Sequence, residues 1–335
     1  MDVTSGHLLS AESADGLRAA ARTALSTQGS PAKPEFYEGL EAHLRRIPAS
    51  IRAALSELRS SRSLSALLIS GVHVDPDRCG STPLSWQEAL DDDRQDVEEA
   101  QLALLGACLG EPFAWPTIQR GRMVQNLVPV ESDRQAQSGH GSVALEWHTE
   151  DGFHQDRCRY LMLLGIRNRD RVPTTLGSVH DVRLTERRRT VLAERRFLIR
   201  PDPEHLRQLA EFAPESDMLR RAHEMYESPE PVAILFGDPD VPQLRIDAPY
   251  TTALDGDEEA AEALTSIVEE LNRVQRDVVV GVGDVLIVDN YRAVHGRRAF
   301  EPRFDGTDRW LKRMSVADGP LPGARSGADA RARAL

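Results

Sequence analysis

In the stretch "LEWHTEDGFHQDRCRY" (145–160), His148 and Glu150 stand two positions apart. On an extended strand, residues i and i+2 share a face, so an imidazole nitrogen and a carboxylate oxygen can address one atom. A third donor must come from elsewhere, and the downstream candidate is His295 in "VDNYRAVHGRRAF". Two histidines and one carboxylate on one face of an iron leave open positions for a bidentate cosubstrate and for dioxygen. The same donor set suits Zn²⁺ with one open position, the arrangement of a metal-dependent hydrolase. A polar strand edge would carry these residues too, so the spacing alone leaves all three readings open.

The residues beyond His295 bear on that choice. Arg309 and Arg313 fall in "DRWLKRMSV", where the alternation of Trp310, Lys312 and Met314 predicts a strand. A guanidinium is a planar, two-pronged partner for a carboxylate, and beside such a metal it can hold the far carboxylate of 2-oxoglutarate. Arg297, Arg298 and Arg303 read as a solvated basic face and receive no role.

The elements that must position these side chains are mostly short strands. From about residue 111 the chain offers "GRMVQNLVPV", "YLMLLGIRN", "RRFLIRP", "EPVAILFG", "PQLRIDAPY" and "DVVVGVGDVLIVDN" between turn-rich segments, a pattern of β-sandwiches and jelly rolls. One amphipathic helix, 256–275, interrupts them. Upstream, helical spacing over 12–29, 35–59 and 86–110 predicts a helical N-terminal region of about 1–110, with a strand in "SALLISGVHV" (65–74). The expected fold is mainly β with flanking helices: a double-stranded β-helix (jelly-roll) core over about 111–319 and one inserted helix. Residues 1–319 are expected to form a single domain, and the Gly-, Ala-, Pro- and Arg-rich 320–335 a disordered tail.

Composition narrows the function classes. Apolar residues are 40%, charged residues 28% and the formal net charge is -12, which opposes a nucleic-acid or anionic-membrane footprint. No apolar run approaches the length of a bilayer span, and the N-terminus lacks an export signal, so a cytoplasmic location is expected. The three cysteines, Cys79, Cys108 and Cys158, form neither a disulfide framework nor a zinc pair. An acidic balance suits a cationic small substrate, and nothing in the sequence speaks to oligomeric state.

Taken together, "WHTEDGFHQDRCRYLMLLGIRN", "PTTLG", "RRFLIRPD", "QLRID" and "GDVLIVDNYRAVHGRRAFEPRFDGTDRWLKR" resemble the clavaminate synthase-like branch of the Fe(II)/2-oxoglutarate oxygenases. Within it, the likeness is greatest to arginine β-hydroxylase of viomycin biosynthesis and to asparagine oxygenase, and it runs from about residue 80 to Arg313. The resemblance implies His148, Glu150 and His295 as iron ligands, with Arg309 and Thr175 holding 2-oxoglutarate; Thr174 is the neighbouring alternative to Thr175. It implies Arg313 and Ser138 at the substrate carboxylate, Glu150 at the substrate, and Asp202 and Asp247 at a guanidinium. His154 is expected to shape the pocket without binding metal. Fe(II), 2-oxoglutarate and dioxygen are the implied cofactor and cosubstrates.

Two departures from the arginine hydroxylases concern the substrate. Pro249 replaces a third acidic residue, and Ile118 replaces a glutamine that anchors the α-amino group, while the adjacent Gln119 would face the other way on a strand. The expected reaction is therefore hydroxylation, first at Cβ, of a free arginine-like, basic or ureido amino acid in specialised-metabolite (antibiotic) biosynthesis. Desaturation, an aminoacyl group on a carrier protein as substrate, a zinc hydrolase and an inactive jelly-roll binding module are the alternatives.

Overall fold

The computed structural model describes residues 4–319; the expected tail, 320–335, lies outside the described residues. Its centre is the strand Tyr160–Arg167, whose eight residues are all buried. Even positions Tyr160, Met162, Leu164 and Ile166 enter one apolar cluster, and Leu161 and Leu163 enter another. A strand covered on both faces reads as a continuous hydrophobic run, which is why "YLMLLGIR" lacks the usual polar alternation. The partner strand Val285–Asp289 divides in the same way, Val285 and Ile287 to one side, Leu286 and Val288 to the other.

These strands belong to a seven-stranded sheet in the order Thr4–Leu8, Ala66–Ser70, Val285–Asp289, Tyr160–Arg167, Trp310–Ala317 and Glu111–Phe113, with Gln125–Leu127 also paired to Trp310–Ala317. A four-stranded sheet lies against it in the order Arg276–Val278, Thr174–Ser178, Ala293–Arg297 and Leu145–His148. The cluster between the sheets joins Leu161, Leu163, Leu286 and Leu311 to Leu176, Val294 and Trp147. The other cluster packs the outer face of the large sheet against the helices Ala11–Gln28, Ala49–Ser60 and Asp96–Leu109. The result is the expected jelly-roll core with a helical flank.

Several expected boundaries shift, each for a local reason. The N-terminal region is not purely helical: Thr4–Leu8 runs parallel to Ala66–Ser70 and extends the large sheet. The helix expected over 35–59 is broken into short turns at Pro34–Tyr37 and Glu41–Leu44 and a helix at Ala49–Ser60, which starts after Pro48 because that residue offers no N–H and disfavours helix in the residue before it. The helix expected over 86–110 is confined to Asp96–Leu109. Ahead of it the Asp92 carboxylate accepts the Arg94 backbone N–H at 3.1 Å, a local turn that competes with helix. "DVVVGVGDVLIVDN" splits into Arg276–Val278 and Val285–Asp289 around Gly283. Gly283 has φ +75°, and a Cβ there would lie 2.4 Å from the Val72 carbonyl oxygen, so only glycine makes this turn.

The inserted helix is present as Glu258–Arg273, but it is not alone. Glu186–Leu192, Pro203–Phe212 and Asp217–Glu227 also lie within the β region. Each opens on a side-chain cap: Thr185, Asp202 and Ser216 accept the N–H of Arg188, Glu204 and Leu219. Those cap residues, with Pro203 at a first helical position, were the available signals.

Candidate active site

His148 ends the strand Leu145–His148 and pairs in register with His295 on the adjacent antiparallel strand Ala293–Arg297. The two rings lie 4.0 Å apart. Their strands can approach because position 296 is glycine: a Cβ there would stand 2.4 Å from the Leu145 carbonyl oxygen and 2.8 Å from Thr175 Oγ1. Glu150 falls beyond the strand end, in a turn where Asp151 has φ +54°, so the expected two-residue strand alternation is not what aims it. Instead Asn290 Oδ1 accepts the Glu150 N–H at 2.7 Å, and Asn290 Nδ2 donates to the Glu150 and Cys158 carbonyls at 3.0 Å. Ligand atoms of His148, Glu150 and His295 all lie within 4.8 Å of one another.

The electrostatics suit a cation at that point. Burial, with the neighbouring His295, pushes the His148 imidazole down to about 3, so its lone pair is free near neutrality. Its Nδ1 faces the Glu146 carbonyl at 2.9 Å, which leaves Nε2 for the shared space. Burial raises the Glu150 carboxyl, but the Arg313 guanidinium and His295 outweigh it and hold Glu150 well below the usual carboxylate range. His295 Nδ1 is buried and has no partner. Two imidazoles and an ionised carboxylate, one imidazole incompletely satisfied, are a donor set that fits a divalent iron.

Behind the triad lies a small cavity of about 40 Å³ bordered by Thr174, His295, Arg297, Arg309 and Arg313. Arg309 is 7% exposed, its Nε is buried without a partner, and its Nη2 donates to Thr174 Oγ1 at 3.4 Å. Burial and the nearby Arg297 push Arg309 down to about 9. Thr174, the alternative residue, borders this cavity. Thr175 pairs with Gly296 and takes the opposite strand face, which corrects the choice of Thr175.

Arg297 also departs from expectation. It is 3% exposed, donates only to backbone carbonyls of Ser138, Gly139 and Val143, and keeps an unpartnered Nε. Arg298 and Arg303 pair with Asp277 and Asp170 at the surface, as a solvated basic face would.

In front of the triad a second cavity, about 70 Å³, is bordered by Ser138, Glu150, Asp202, Asp247 and Arg313. Ile118 and Pro249 line it too, while Gln119 turns away and donates to the Asn126 carbonyl at 2.8 Å. Arg313 Nη1 donates to Glu150 Oε1 at 2.5 Å, and its Nε and Nη2 donate to Gln125 Oε1 at 2.8 and 2.5 Å. Burial raises Asp202 to about 6. Asp247 is raised well above its ordinary value by burial and then by the charges of Asp202 and Glu150. Asp202 also caps the helix Pro203–Phe212.

Sequence reasoning missed Gln125, Asn290 and Asp151. Asp151 accepts the Trp115 indole N–H at 2.5 Å and faces His205 Nε2 at 3.1 Å, tying the ligand turn to the helix Pro203–Phe212. Gln125 sits opposite Arg313 only through the pairing of Gln125–Leu127 with Trp310–Ala317, a long-range register that no local pattern reveals. His154 borders a different cavity, beyond Phe153, and not the one in front of the triad.

Comparison with known proteins agrees with this geometry. The chain is 38% identical over 292 residues to enduracididine beta-hydroxylase of Streptomyces hygroscopicus, covering 84% of this chain and 85% of that one. It is 36% identical over 279 residues to L-ornithine/L-arginine 3-hydroxylase of Catenulispora acidiphila, 81% of each. The crystal structure of the non-heme iron oxygenase OrfP in complex with Fe, succinate and (3S)-hydroxy-L-Arg superposes with a TM-score of 0.90 at 33% identity, covering 98% of this chain and 99% of that one. Residues 92–315 match the model of the taurine catabolism dioxygenase TauD, TfdA family, and the chain belongs to that family.

Proposed function

We propose that this chain is an Fe(II)/2-oxoglutarate-dependent dioxygenase that hydroxylates Cβ of a free amino acid with a cationic side chain, arginine or a close arginine analogue, in antibiotic biosynthesis. The observation that carries the reading is the division of charge around Glu150: behind the triad, guanidinium groups without carboxylate partners; in front, carboxyl groups without cationic partners. Bound Fe(II), with 2-oxoglutarate and dioxygen, supplies the power to oxidise an unactivated carbon, coupled to conversion of 2-oxoglutarate to succinate and carbon dioxide.

The protein's own contribution is placement. His148, Glu150 and His295 would hold the iron. Arg309, with Thr174 Oγ1 beside it, would take the distal carboxylate of 2-oxoglutarate, and Arg297 adds a second positive charge on that side. A buried guanidinium without a counter-charge is costly, and a dicarboxylate removes the cost. In front, Arg313 and Ser138 would take the substrate carboxylate. Asp202 and Asp247 would take its distal cation, so that the intervening carbons face the metal. Gln125 fixes Arg313 and offers a polar group close to the α-amino position that Ile118 leaves without its glutamine.

OrfP is seen in complex with (3S)-hydroxy-L-Arg, and the enduracididine and ornithine/arginine relatives are β- or 3-hydroxylases; these support Cβ as the position. Arg313, matched to a free carboxylate, favours a free amino acid over a carrier-bound one. Among the described residues no helix is long and apolar enough to cross a membrane. The acidic balance supports a cytoplasmic enzyme without a nucleic-acid partner, and the shared large sheet supports one domain over residues 4–319. The test is a mass-spectrometric screen of arginine, enduracididine, ornithine, lysine, citrulline and asparagine with 2-oxoglutarate and Fe(II). A gain of one oxygen on arginine or enduracididine, matched by succinate, is expected. Oxidation of asparagine alone, or of none, would overturn the substrate assignment.

A further inference from the structure

A cavity of about 620 Å³ lies on the far side of Phe153 from the one in front of the triad, and Phe153 borders both. Its walls hold three guanidinium groups, Arg157, Arg195 and Arg245, beside Phe236 and Tyr291. This is a locally basic hollow in a chain whose formal net charge is -12.

Arg157 is the unusual member. It is 4% exposed, and among the described residues it makes neither an ion pair nor a hydrogen bond; its Nε and Nη2 are buried without partners. Its guanidinium lies 4.3 Å from the centre of the Tyr291 ring and 5.2 Å from that of Phe236. Cation–π contact fixes the plane of the group but satisfies none of its N–H donors. A neighbouring arginine, Arg159, spends its charge differently, on Asp289 at 2.7 Å. Arg245 donates to the carbonyls of Gly152 and Phe153 at 3.0 and 3.1 Å. Burial and the adjacent Arg157 push Arg245 down to about 10, and burial also lowers Arg157. Arg195 is exposed and faces Glu230 at 3.6 Å, a loose pair in which the carboxylate side chain is 88% exposed. Glu230 therefore leaves most of the positive charge uncompensated.

We propose that this cavity is a second binding site, for a small organic oxyanion whose carboxylate or phosphate meets Arg157, Arg195 and Arg245 and whose body lies against Phe236 and Tyr291. Buried polar groups in native proteins are almost always satisfied; Arg157 borders the cavity with its Nε and Nη2 enclosed and without partners, and a hollow walled by guanidinium and aromatic groups suits a small oxyanion. The site is distinct from the cavity that would take 2-oxoglutarate, since that one is bordered by Arg297 and Arg309. Arg245 grips the backbone immediately after Glu150 and Asp151, so an anion here sits against the turn that carries a triad residue.

Phenyl phosphate and benzoate are suitable probes, with benzamide as the uncharged control. They are titrated calorimetrically into full-length protein holding Mn(II) and saturating 2-oxoglutarate, which keeps the other basic cavity filled. Saturable one-to-one binding of an anionic probe is expected, with the tighter of the two naming the oxyanion preferred. Arg157→Gln is expected to weaken it about tenfold or more, and so is Arg195→Glu, a surface change that keeps the test alive if Arg157→Gln does not fold. Anions binding no better than benzamide, or equal affinity in the wild type and Arg195→Glu, would each overturn the proposal.

Discussion

The two small cavities that meet at Glu150 are opposites in charge although their walls share residues. Behind the triad, Arg297 and Arg309 are buried without carboxylate partners; in front, Asp202 and Asp247 are crowded carboxyl groups with no cationic side chain between them. Arg313 borders both and is paired with Glu150. Burial disfavours the charged form of the groups on each side, and a molecule of the opposite sign offsets that cost. On the proposed function, a dianionic cosubstrate and a cationic amino acid would thereby be sorted to opposite sides of the metal before any shape is tested.

Removing a triad donor should have the largest effect. His295→Ala takes one donor from the triad, and substrate-dependent succinate formation is expected to fall by about a thousandfold or more. Normal turnover would mean that the triad is not the metal site. Arg309→Gln attacks the basic side alone. It is expected to raise the half-saturating concentration of 2-oxoglutarate by about ten- to a hundredfold, with a smaller change for arginine. Steady-state kinetics with each substrate varied in turn would separate the two, and an equal change in both would erase the distinction between the cavities.

The acidic side answers to a different ligand. Asp247→Asn is expected to raise the KM for arginine by about tenfold while changing that for citrulline, its uncharged ureido counterpart, much less. If citrulline suffers equally, Asp247 serves the shape of the cavity and not its charge.

How much of this was legible in the sequence follows from how local each signal is. His148, Glu150 and His295 were found because their residue types are rare together and their motifs long. The roles of Arg309 and Arg313 came from the family resemblance; alternation predicted only their strand, on whose other face Lys312 lies beneath the helix Asp96–Leu109, paired with Glu99 at 2.7 Å. The choice between Thr174 and Thr175 depended on which face of Thr174–Ser178 meets Arg309, and that is fixed by the register with Ala293–Arg297. Gln125 and Asn290 act across sequence separations of 188 and 140 residues. Nothing near them in the chain announces that role. Arg297 looked like its exposed neighbours Arg298 and Arg303 because burial is not written in residue type.

The smallest expected effect concerns pH, and it bears on the acidic cavity from within. Burial raises the Asp202 carboxyl from 3.8 to about 6, so the folded protein favours its neutral form. The stabilising contribution of this group is therefore complete below about pH 4 and is lost as pH rises through about 6. Asp202→Asn removes that loss, and its amide oxygen can still accept the Glu204 N–H that caps the helix Pro203–Phe212. Without substrate, the variant is expected to melt at the same temperature as the wild type near pH 4 and slightly higher above pH 7. Arginine binding should show the reverse: in the wild type it strengthens as Asp202 ionises through about 6, and in the variant that rise is reduced. Thermal melts and arginine KM values across the same pH series measure both arms. A variant that keeps the full pH dependence of arginine binding would move the titrating charge to Asp247 and leave Asp202 as a helix cap.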